Sequence, residues 1–356
     1  GYDKLYKGGL SIRTPLDPIY QVQAVKALRE GLELYDRRHG WRGVLTNKKN
    51  DSNWSNSISN FKLEKSIVQR RVDQLSEEGV IFKTDTFIGQ NLPTTELVNG
   101  YDVICLTAGS TVPRDLNIPG RDFQGVHFAM EYLTQQNRLL DGLEIPRSDK
   151  IDAKDKNVII LGGGDTGADC LGTAHRQGAR SVKQFEIMPE PPVARDQNNP
   201  WPEWPRILMT SAAHEEGGTR EYNISTQKFT GDNGIVRKLH GIKVYWDQSS
   251  EDTRPTLKEI KGSEFEIQAD LILLAMGFLH PERTGMLDDL QVALDSKGNV
   301  VTDQDKMTNI PGIFSAGDMT RGQSLVVWAI AEGREVARGI DRYLTGNSNL
   351  PKVLTN

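Results

Sequence analysis

Hydrophobic and polar positions repeat with two different periods along the chain, and the two periods follow one another in the middle of the sequence. Residues 157–161, NVIIL, form a mostly apolar run typical of a buried strand. Residues 165–177 repeat at helical spacing up to Gly178, and residues 181–187 return to a strand pattern. A strand, a helix and a second strand in this order predict a doubly wound α/β fold built on parallel sheet.

The same criteria predict the remaining elements. Helices are expected at residues 22–35, 63–78 and 324–343, and strands at residues 80–87, 101–106, 269–276 and 312–316, with polar hairpin strands between residues 221 and 268. Residues 46–59, TNKKNDSNWSNSIS, are polar and aperiodic, which predicts a linker or junction.

Composition and charge exclude several classes of protein. The 356 residues suffice for about two domains. With 43 basic and 48 acidic residues the net charge is −5, which argues against nucleic-acid binding. Two cysteines, Cys105 and Cys170, and six histidines without metal-ligand spacing predict neither a disulfide framework nor a metal site. No apolar run approaches the roughly 20 residues that cross a bilayer, so we expect a cytoplasmic protein that does not contact a membrane.

A glycine-rich turn lies between the first two central elements. Gly162, Gly164 and Gly167 satisfy G-x-G-x-x-G, with Gly163, Asp165 and Thr166 between them. In this motif the glycines allow a tight turn, a close approach of the backbone to a pyrophosphate, and packing of helix against strand. Glu186 follows the last glycine by 19 residues, where an acid would bind the adenosine ribose. The segment therefore predicts an NAD(P)H site, or else a glycine-rich turn that binds nothing. Glu186 favours NADH, although Arg195 lies nearby in the sequence.

Three further turns follow buried strands. Ala108 and Gly109 end one strand, and Ala275 and Gly277 end another; each turn is a candidate nucleotide contact or a crossing between domains, with an ordinary core strand and turn as the simpler alternative. The third turn combines Gly317 and Asp318 with the start of a helix at Gln323, Ser324 and Leu325. A carboxylate at a strand end can bind sugar-like hydroxyls, although Asp318 could instead be a simple cap.

The chain resembles the small subunit, or the equivalent C-terminal region, of glutamate synthase from about residue 60 to residue 351. The segments that carry the resemblance are residues 61–65, 125–131, 162–170, 199–205 (NPWPEWP) and 316–329 (AGDMTRGQSLVVWA). The resemblance implies a flavoprotein with two dinucleotide-binding domains, in which a Rossmann-like NAD(P)H domain is inserted into an FAD domain. It places Gly162, Gly164, Asp165, Thr166, Gly167 and Glu186 against NAD(P)H, and Gly317, Asp318, Gln323, Ser324 and Leu325 against FAD.

The resemblance also implies an organisation and a reaction. Residues 60–120 would be the first remaining part of an incomplete FAD domain, residues 121–280 the NAD(P)H domain and residues 281–356 the C-terminal part of the FAD domain. Such a protein passes electrons from NAD(P)H through FAD to the glutamate synthase large subunit or an equivalent partner, which forms glutamate. We nominate no catalytic side chain, because the cofactors carry this chemistry.

The first 59 residues depart from that pattern. Family members begin with their own G-x-G-x-x-G for FAD, preceded by cysteines that bind iron–sulfur clusters, and neither feature occurs here. Residues 1–45 instead resemble a non-catalytic stretch of bifunctional penicillin-binding proteins, which suggests a chimera or a fragment joined within residues 46–59; a divergent natural N-terminus is the milder alternative. The alternative function is a nucleotide-binding module without turnover.

Overall fold

The computed structural model describes residues 65–197, 199, 206–247 and 255–352. The predicted helix at residues 22–35, the linker at residues 46–59 and the resemblance of residues 1–45 to penicillin-binding proteins all lie outside these ranges. Within them, no helix is long and apolar enough to cross a membrane, and no group of three or more potential metal ligands comes together.

A five-stranded parallel sheet forms the centre of the molecule. In spatial order its strands are β2 (Val126–Phe128), β10 (Leu271–Leu274), β3 (Asn157–Leu161), β4 (Ser181–Phe185) and β5 (Thr219–Glu221). The register pairs Ile159 with Ile272 on one side of β3 and with Lys183 on the other. Strands β3 and β10 carry buried side chains in succession because both faces of the sheet are covered.

Helices cover one face of this sheet. They are α3 (Ala129–Leu140), α4 (Asp165–Arg176) and the short α5 (Ala212–Glu215). Tyr132 and Leu133 of α3 and Leu171 of α4 are fully buried against Val158 and Leu273 of the strands. The Tyr132 hydroxyl donates a hydrogen bond to Gln177 Oε1 at 3.0 Å, so the polar end of this buried ring is satisfied.

An antiparallel sheet covers the opposite face. Its strands are β6 (Ile224–Asp232), β7 (Ile235–Asp247), β8 (Thr256–Glu259) and β9 (Phe265–Gln268). Asn233 and Gly234 join β6 to β7 with positive φ values of 51° and 77°, as a type I′ hairpin turn requires. Phe229 and Leu239 from this hairpin are buried with Ile272 of the parallel sheet.

A smaller unit is built from segments that precede and follow the strands of the central sheet in the sequence. Strands β1 (Ile104–Leu106) and β11 (Ile313–Ser315) pair in parallel, and α8 (Val326–Thr345) packs on them. The unit also contains α2 (Thr94–Gly100), α6 (Met286–Leu290) and α7 (Asp318–Arg321), and α1 (Lys65–Glu77) precedes these elements in the chain. Leu106, Leu287 and Met319 are buried in its core.

Most of the predicted elements are confirmed, but the prediction for residues 80–87 was wrong. Their side chains alternate in exposure as a strand's would, yet this stretch forms no ladder with any strand of the described chain, and a strand needs a paired neighbour. The strand predicted at residues 101–106 is reduced to β1, in which only Leu106 is buried. The predicted α/β fold on a parallel sheet is confirmed, but the sheet is not doubly wound, because helices cover only one of its faces and the antiparallel sheet covers the other.

Candidate functional site

The turn after β3 requires glycine at its first position. Gly162 has a φ of +120°, and its N–H donates to the Phe185 carbonyl at 2.8 Å. A Cβ atom added to Gly162 would overlap the carbonyl oxygen of Ala275, which follows the neighbouring strand β10. The first glycine of the motif therefore lets two adjacent strand ends approach one another.

The last glycine of the motif brings α4 against β3. A Cβ on Gly167 would overlap the Gly162 carbonyl oxygen and also contact Gln184. The Gln184 amide donates to this same Gly162 carbonyl at 2.8 Å, and its Oε1 lies 3.1 Å from His214 Nε2. Sequence reasoning missed Gln184 and His214; the available signal was a polar residue, Gln184, within the strand predicted at residues 181–187.

The middle of the turn is open to solvent. Gly163, Gly164 and Asp165 are exposed, and Thr166 is half-buried. Gly164 precedes α4 without a capping side chain, and a Cβ added there would meet no atom within 4 Å. The first N–H groups of a helix have no partner within the helix, so this opening exposes donors and a positive dipole end suited to an anion.

Glu186 lies directly beside this opening. Its Oε2 accepts the Gly163 N–H at 2.5 Å, and its Oε1 accepts the Met188 N–H at 3.0 Å. Arg195, which complicated the sequence argument, donates from Nη1 to the Asn199 carbonyl at 3.1 Å. The carboxylate thus places negative charge at the edge of the glycine-rich turn.

The two predicted crossings run side by side. Leu279 N–H donates to the Val112 carbonyl at 2.8 Å, and Arg114 N–H donates to the Gly277 carbonyl at 2.9 Å. Pro113 and Phe278 form an antiparallel bridge between these segments. Two antiparallel chain segments therefore connect the central sheet with the smaller unit.

The residues predicted within these crossings have different surroundings. Gly277 has a φ of +82°, and a Cβ there would lie 2.6 Å from Gln323 Nε2; Gln323 Oε1 in turn accepts the Phe278 N–H at 3.0 Å. Ala108 N–H points to Met319 Sδ at 2.9 Å. Gly109 faces open space. The structure thus brings Gly277 and Gln323 together, whereas Ala108 contacts α7.

Asp318 joins the turn after β11 to the start of α8. Its Oδ1 accepts hydrogen bonds from both the backbone N–H and the hydroxyl of Ser324, each at 3.1 Å. Leu325, the residue before α8, is exposed and makes no capping hydrogen bond through its side chain. The first N–H groups of α8 therefore open to the surface beside the Asp318 carboxylate.

A buried carboxylate behind this turn was not predicted from the sequence. Glu332 of α8 is only 2% exposed, and its Oε2 accepts the Gly317 N–H at 2.8 Å. Burial by itself would raise the pKa of the Glu332 carboxyl, but the Gly317 hydrogen bond and the cations Lys306 and Arg321 outweigh it, so the pKa lies below its ordinary value.

Comparisons with known proteins identify a family and several relatives of the chain. A family model described as pyridine nucleotide-disulphide oxidoreductase matches residues 26–333. The "Glutamate synthase [NADPH] small chain" of Mycobacterium tuberculosis (strain CDC 1551 / Oshkosh) is 48% identical over 83% of this chain and 60% of its own length. The "Glutamate synthase [NADH]" of Schizosaccharomyces pombe (strain 972 / ATCC 24843) is 43% identical over 83% of this chain and 14% of its own length.

A solved structure shows the same fold at low sequence identity. A variant of FprA from Mycobacterium tuberculosis superposes with a TM-score of 0.65 and 12% identity, covering 85% of this chain and 77% of that one. The chain spans about three fifths of the length of the mycobacterial small chain that it matches.

Proposed function

The chain belongs to the pyridine nucleotide-disulphide oxidoreductase family, and from this premise we propose that it is the NAD(P)H-oxidising flavoprotein part of a glutamate synthase. In this role it receives a hydride from NAD(P)H and passes electrons through FAD to a large subunit or an equivalent partner that forms glutamate. The observation that carries the proposal is the 48% identity to a glutamate synthase small chain over 83% of this chain.

The glycine-rich turn suits the pyrophosphate of NAD(P)H. Gly164 leaves open space where a side chain would otherwise stand, and the uncapped start of α4 offers N–H donors. In our proposal Gly163, Gly164 and Thr166 line the phosphates, while Glu186 accepts hydrogen bonds from the adenosine ribose.

The turn after β11 suits FAD by the chemistry of its donors and acceptors. Asp318 offers a carboxylate to ribityl hydroxyls, and the first turn of α8, from Leu325 onward, offers backbone N–H groups to the pyrimidine edge of the flavin. Gln323 connects this turn to the crossing at Gly277. When both cofactors are bound, the nicotinamide supplies the hydride and the flavin accepts it, so this chain's residues bind and orient rather than act as acids or bases.

Glu186 leads us to propose NADH as the preferred donor. Its carboxylate faces the glycine-rich turn, where it would repel the 2′-phosphate of NADPH. We expect the substitution Glu186→Gln to raise the ratio of kcat/KM for NADPH to that for NADH about tenfold, which corresponds to roughly 1.4 kcal/mol. Steady-state rates with an artificial acceptor measure this ratio. If the wild type prefers NADPH and the substitution leaves the ratio unchanged, Glu186 does not set the preference.

A visible spectrum tests the whole proposal. The purified chain is incubated with FAD, desalted and scanned for a retained flavin band, and NADH or NADPH is then added without oxygen. Retention of the band followed by bleaching is the expected result. The matched control is Asp318→Ala, which should retain less flavin.

The opposite result has a defined meaning. A colourless protein that still binds NADH would contradict the oxidoreductase role of this chain and identify it as a nucleotide-binding module. Bleaching without transfer of electrons to a glutamate synthase large subunit would contradict only the proposed partner.

A further inference from the structure

The buried carboxylate of Glu332 contacts two separate segments of the chain, residues 317–321 and Lys306 in the loop before β11. Its Oε2 accepts the Gly317 N–H at 2.8 Å and the Thr320 hydroxyl at 3.1 Å. Its Oε1 accepts Arg321 Nη2 at 2.8 Å and lies 3.2 Å from Lys306 Nζ. The carboxylate thus ties α8 to the turn after β11, to α7 and to the loop before β11.

The backbone held by Glu332 is the turn that carries Asp318. Gly317 adopts a φ of +72°, and its carbonyl accepts hydrogen bonds from Thr320 and Arg321 of α7. Lys306 also has a positive φ, of 66°, and its carbonyl accepts the Ser315 N–H of β11 at 3.0 Å. Lys306 is not a glycine, so its positive φ depends on surrounding contacts, whereas Gly317 adopts its positive φ without steric cost.

The cluster around the buried Glu332 contains more positive than negative charge. One carboxylate faces the two cations Lys306 and Arg321, and the Arg321 guanidinium also lies 4.4 Å from the ring centre of Trp328. A buried carboxylate with two cationic partners is expected to be ionised, and its removal would leave uncompensated positive charge behind the turn.

We propose that Glu332 is a positioning residue of the flavin site: it fixes the 317–321 turn so that Asp318 faces the cofactor, and it balances the charge of Lys306 and Arg321 beside the flavin. This inference rests on the proposed function in so far as the turn binds FAD. Its structural part, the fixing of the turn, does not depend on any cofactor.

The structural part is tested in the FAD-free chain by hydrogen–deuterium exchange. Glu332→Gln removes the negative charge and places an amide N–H₂ group, a donor, opposite the donors that now bind the carboxylate. Because the turn then loses hydrogen bonds, we expect the backbone amides of residues 315–322 to exchange about tenfold faster. Glu335→Gln is the matched control, because Glu335 is an equally buried carboxylate on the same helix. Exchange that is unchanged in Glu332→Gln, or equally accelerated in the control, would overturn the inference.

The electrostatic part is tested with the flavin-loaded protein. Glu332→Gln leaves excess positive charge, which stabilises the reduced flavin, so its midpoint potential should rise. Lys306→Met removes one cation, so the potential should fall, and Glu332→Asp should stay near the wild type. Structural damage alone would not produce shifts of opposite sign. Two shifts of the same sign, or none, would overturn the electrostatic role.

The two proposals can fail separately. If the wild-type chain retains no FAD, the proposed function fails, and the exchange experiment alone decides whether Glu332 fixes the turn. If Glu332→Gln does not fold, Glu332→Asp and Lys306→Met provide the comparison. A wild-type exchange rate in both variants would then count against the positioning role.

Discussion

The three glycines of the G-x-G-x-x-G motif after β3, Gly162, Gly164 and Gly167, differ in what an added methyl group would contact. At Gly162 and Gly167 an added Cβ overlaps backbone oxygen, so these positions serve the packing of β3, β10 and α4. At Gly164 the Cβ meets open space, and the backbone has a φ of −82° that any residue can adopt. Packing therefore does not explain Gly164, whereas the approach of a phosphate does.

The substitution Gly164→Ala separates binding from folding. We expect it to leave the free energy of unfolding within about 1 kcal/mol of the wild type, because the new methyl group contacts nothing and the residue stands before the helix. We expect NADH affinity to fall at least about tenfold, because the methyl group occupies the phosphate approach. Chemical denaturation and fluorescence titration measure the two quantities.

Gly162→Ala is the contrasting control. Its positive φ and its overlap with Ala275 should lower the free energy of unfolding by about 2 kcal/mol or more. Equal loss of stability in the two variants would contradict the assignment of Gly164 to binding.

Glu332 gives a pH prediction whose sign is fixed by its lowered pKa. A carboxyl whose folded pKa lies below its ordinary value of 4.5 stabilises the fold above that pH, and the contribution is lost as the pH falls through the folded pKa. Glu332→Gln should therefore destabilise the chain by about 3 kcal/mol at pH 7, and the difference from the wild type should narrow below pH 4.5. Urea denaturation at pH values from about 3 to about 7 measures the difference in unfolding free energy between the variant and the wild type. This range spans the pH at which carboxyl groups titrate. A difference that does not change with pH would mean that the ionised form plays no part.

At the level of elements, the sequence predicted what a local pattern can encode. The strand at residues 157–161 and the helix that follows match β3 and α4 within one residue at each end, because a buried apolar run and a glycine stop are both local signals. Residues 80–87 have the alternation of a strand but form no ladder within the described part of the chain, and strand pairing is a property of the tertiary fold.

The residues of the candidate site likewise fall into those that a local sequence pattern predicts and those that it does not. The glycines and Glu186 were predictable because their spacing from β3 is fixed by the motif. Gln184, His214 and Glu332 were not, because a polar residue in a strand or a helix shows its partner only after distant segments meet. Glu332, for example, bonds Gly317 at a separation of 15 residues and Lys306 at 26.

Two hydrogen bonds between Asp318 and Ser324 hold the segment that leads into α8. Asp318 Oδ1 accepts two hydrogen bonds from Ser324 and so joins α7 to α8. Asp318→Ala should cost about 1 kcal/mol of unfolding free energy, and Ser324→Ala should cost about half as much because the backbone bond survives. The double variant should cost less than the sum of the two, as thermal unfolding can measure. Full additivity would show that the two side chains do not interact.

The molecule as a whole exposes apolar side chains around the first turn of α8. Val326 is 70% exposed, Val327 is 60% exposed and Ile330 is 54% exposed. Apolar residues grouped in this way mark a surface that binds something. They adjoin Asp318 and the N–H groups that we propose for FAD, so bound flavin would cover part of this apolar surface.

The two proposed cofactor sites lie on two parts of the molecule, so we expect each ligand to stabilise the fold independently of the other. A ligand that binds only the folded chain, at a hundred times its Kd, adds about 2.7 kcal/mol to the free energy of unfolding. We therefore expect FAD and oxidised nicotinamide nucleotide each to raise the unfolding temperature.

Gly164→Ala should remove only the nucleotide effect and Asp318→Ala only the FAD effect, because Gly164 precedes α4 on the central sheet and Asp318 follows β11 in the smaller unit. Differential scanning fluorimetry of the wild type and both variants, with each ligand alone, measures all six shifts. If either substitution abolished both effects while the variant still unfolded cooperatively, the prediction that the two sites are independent would be wrong.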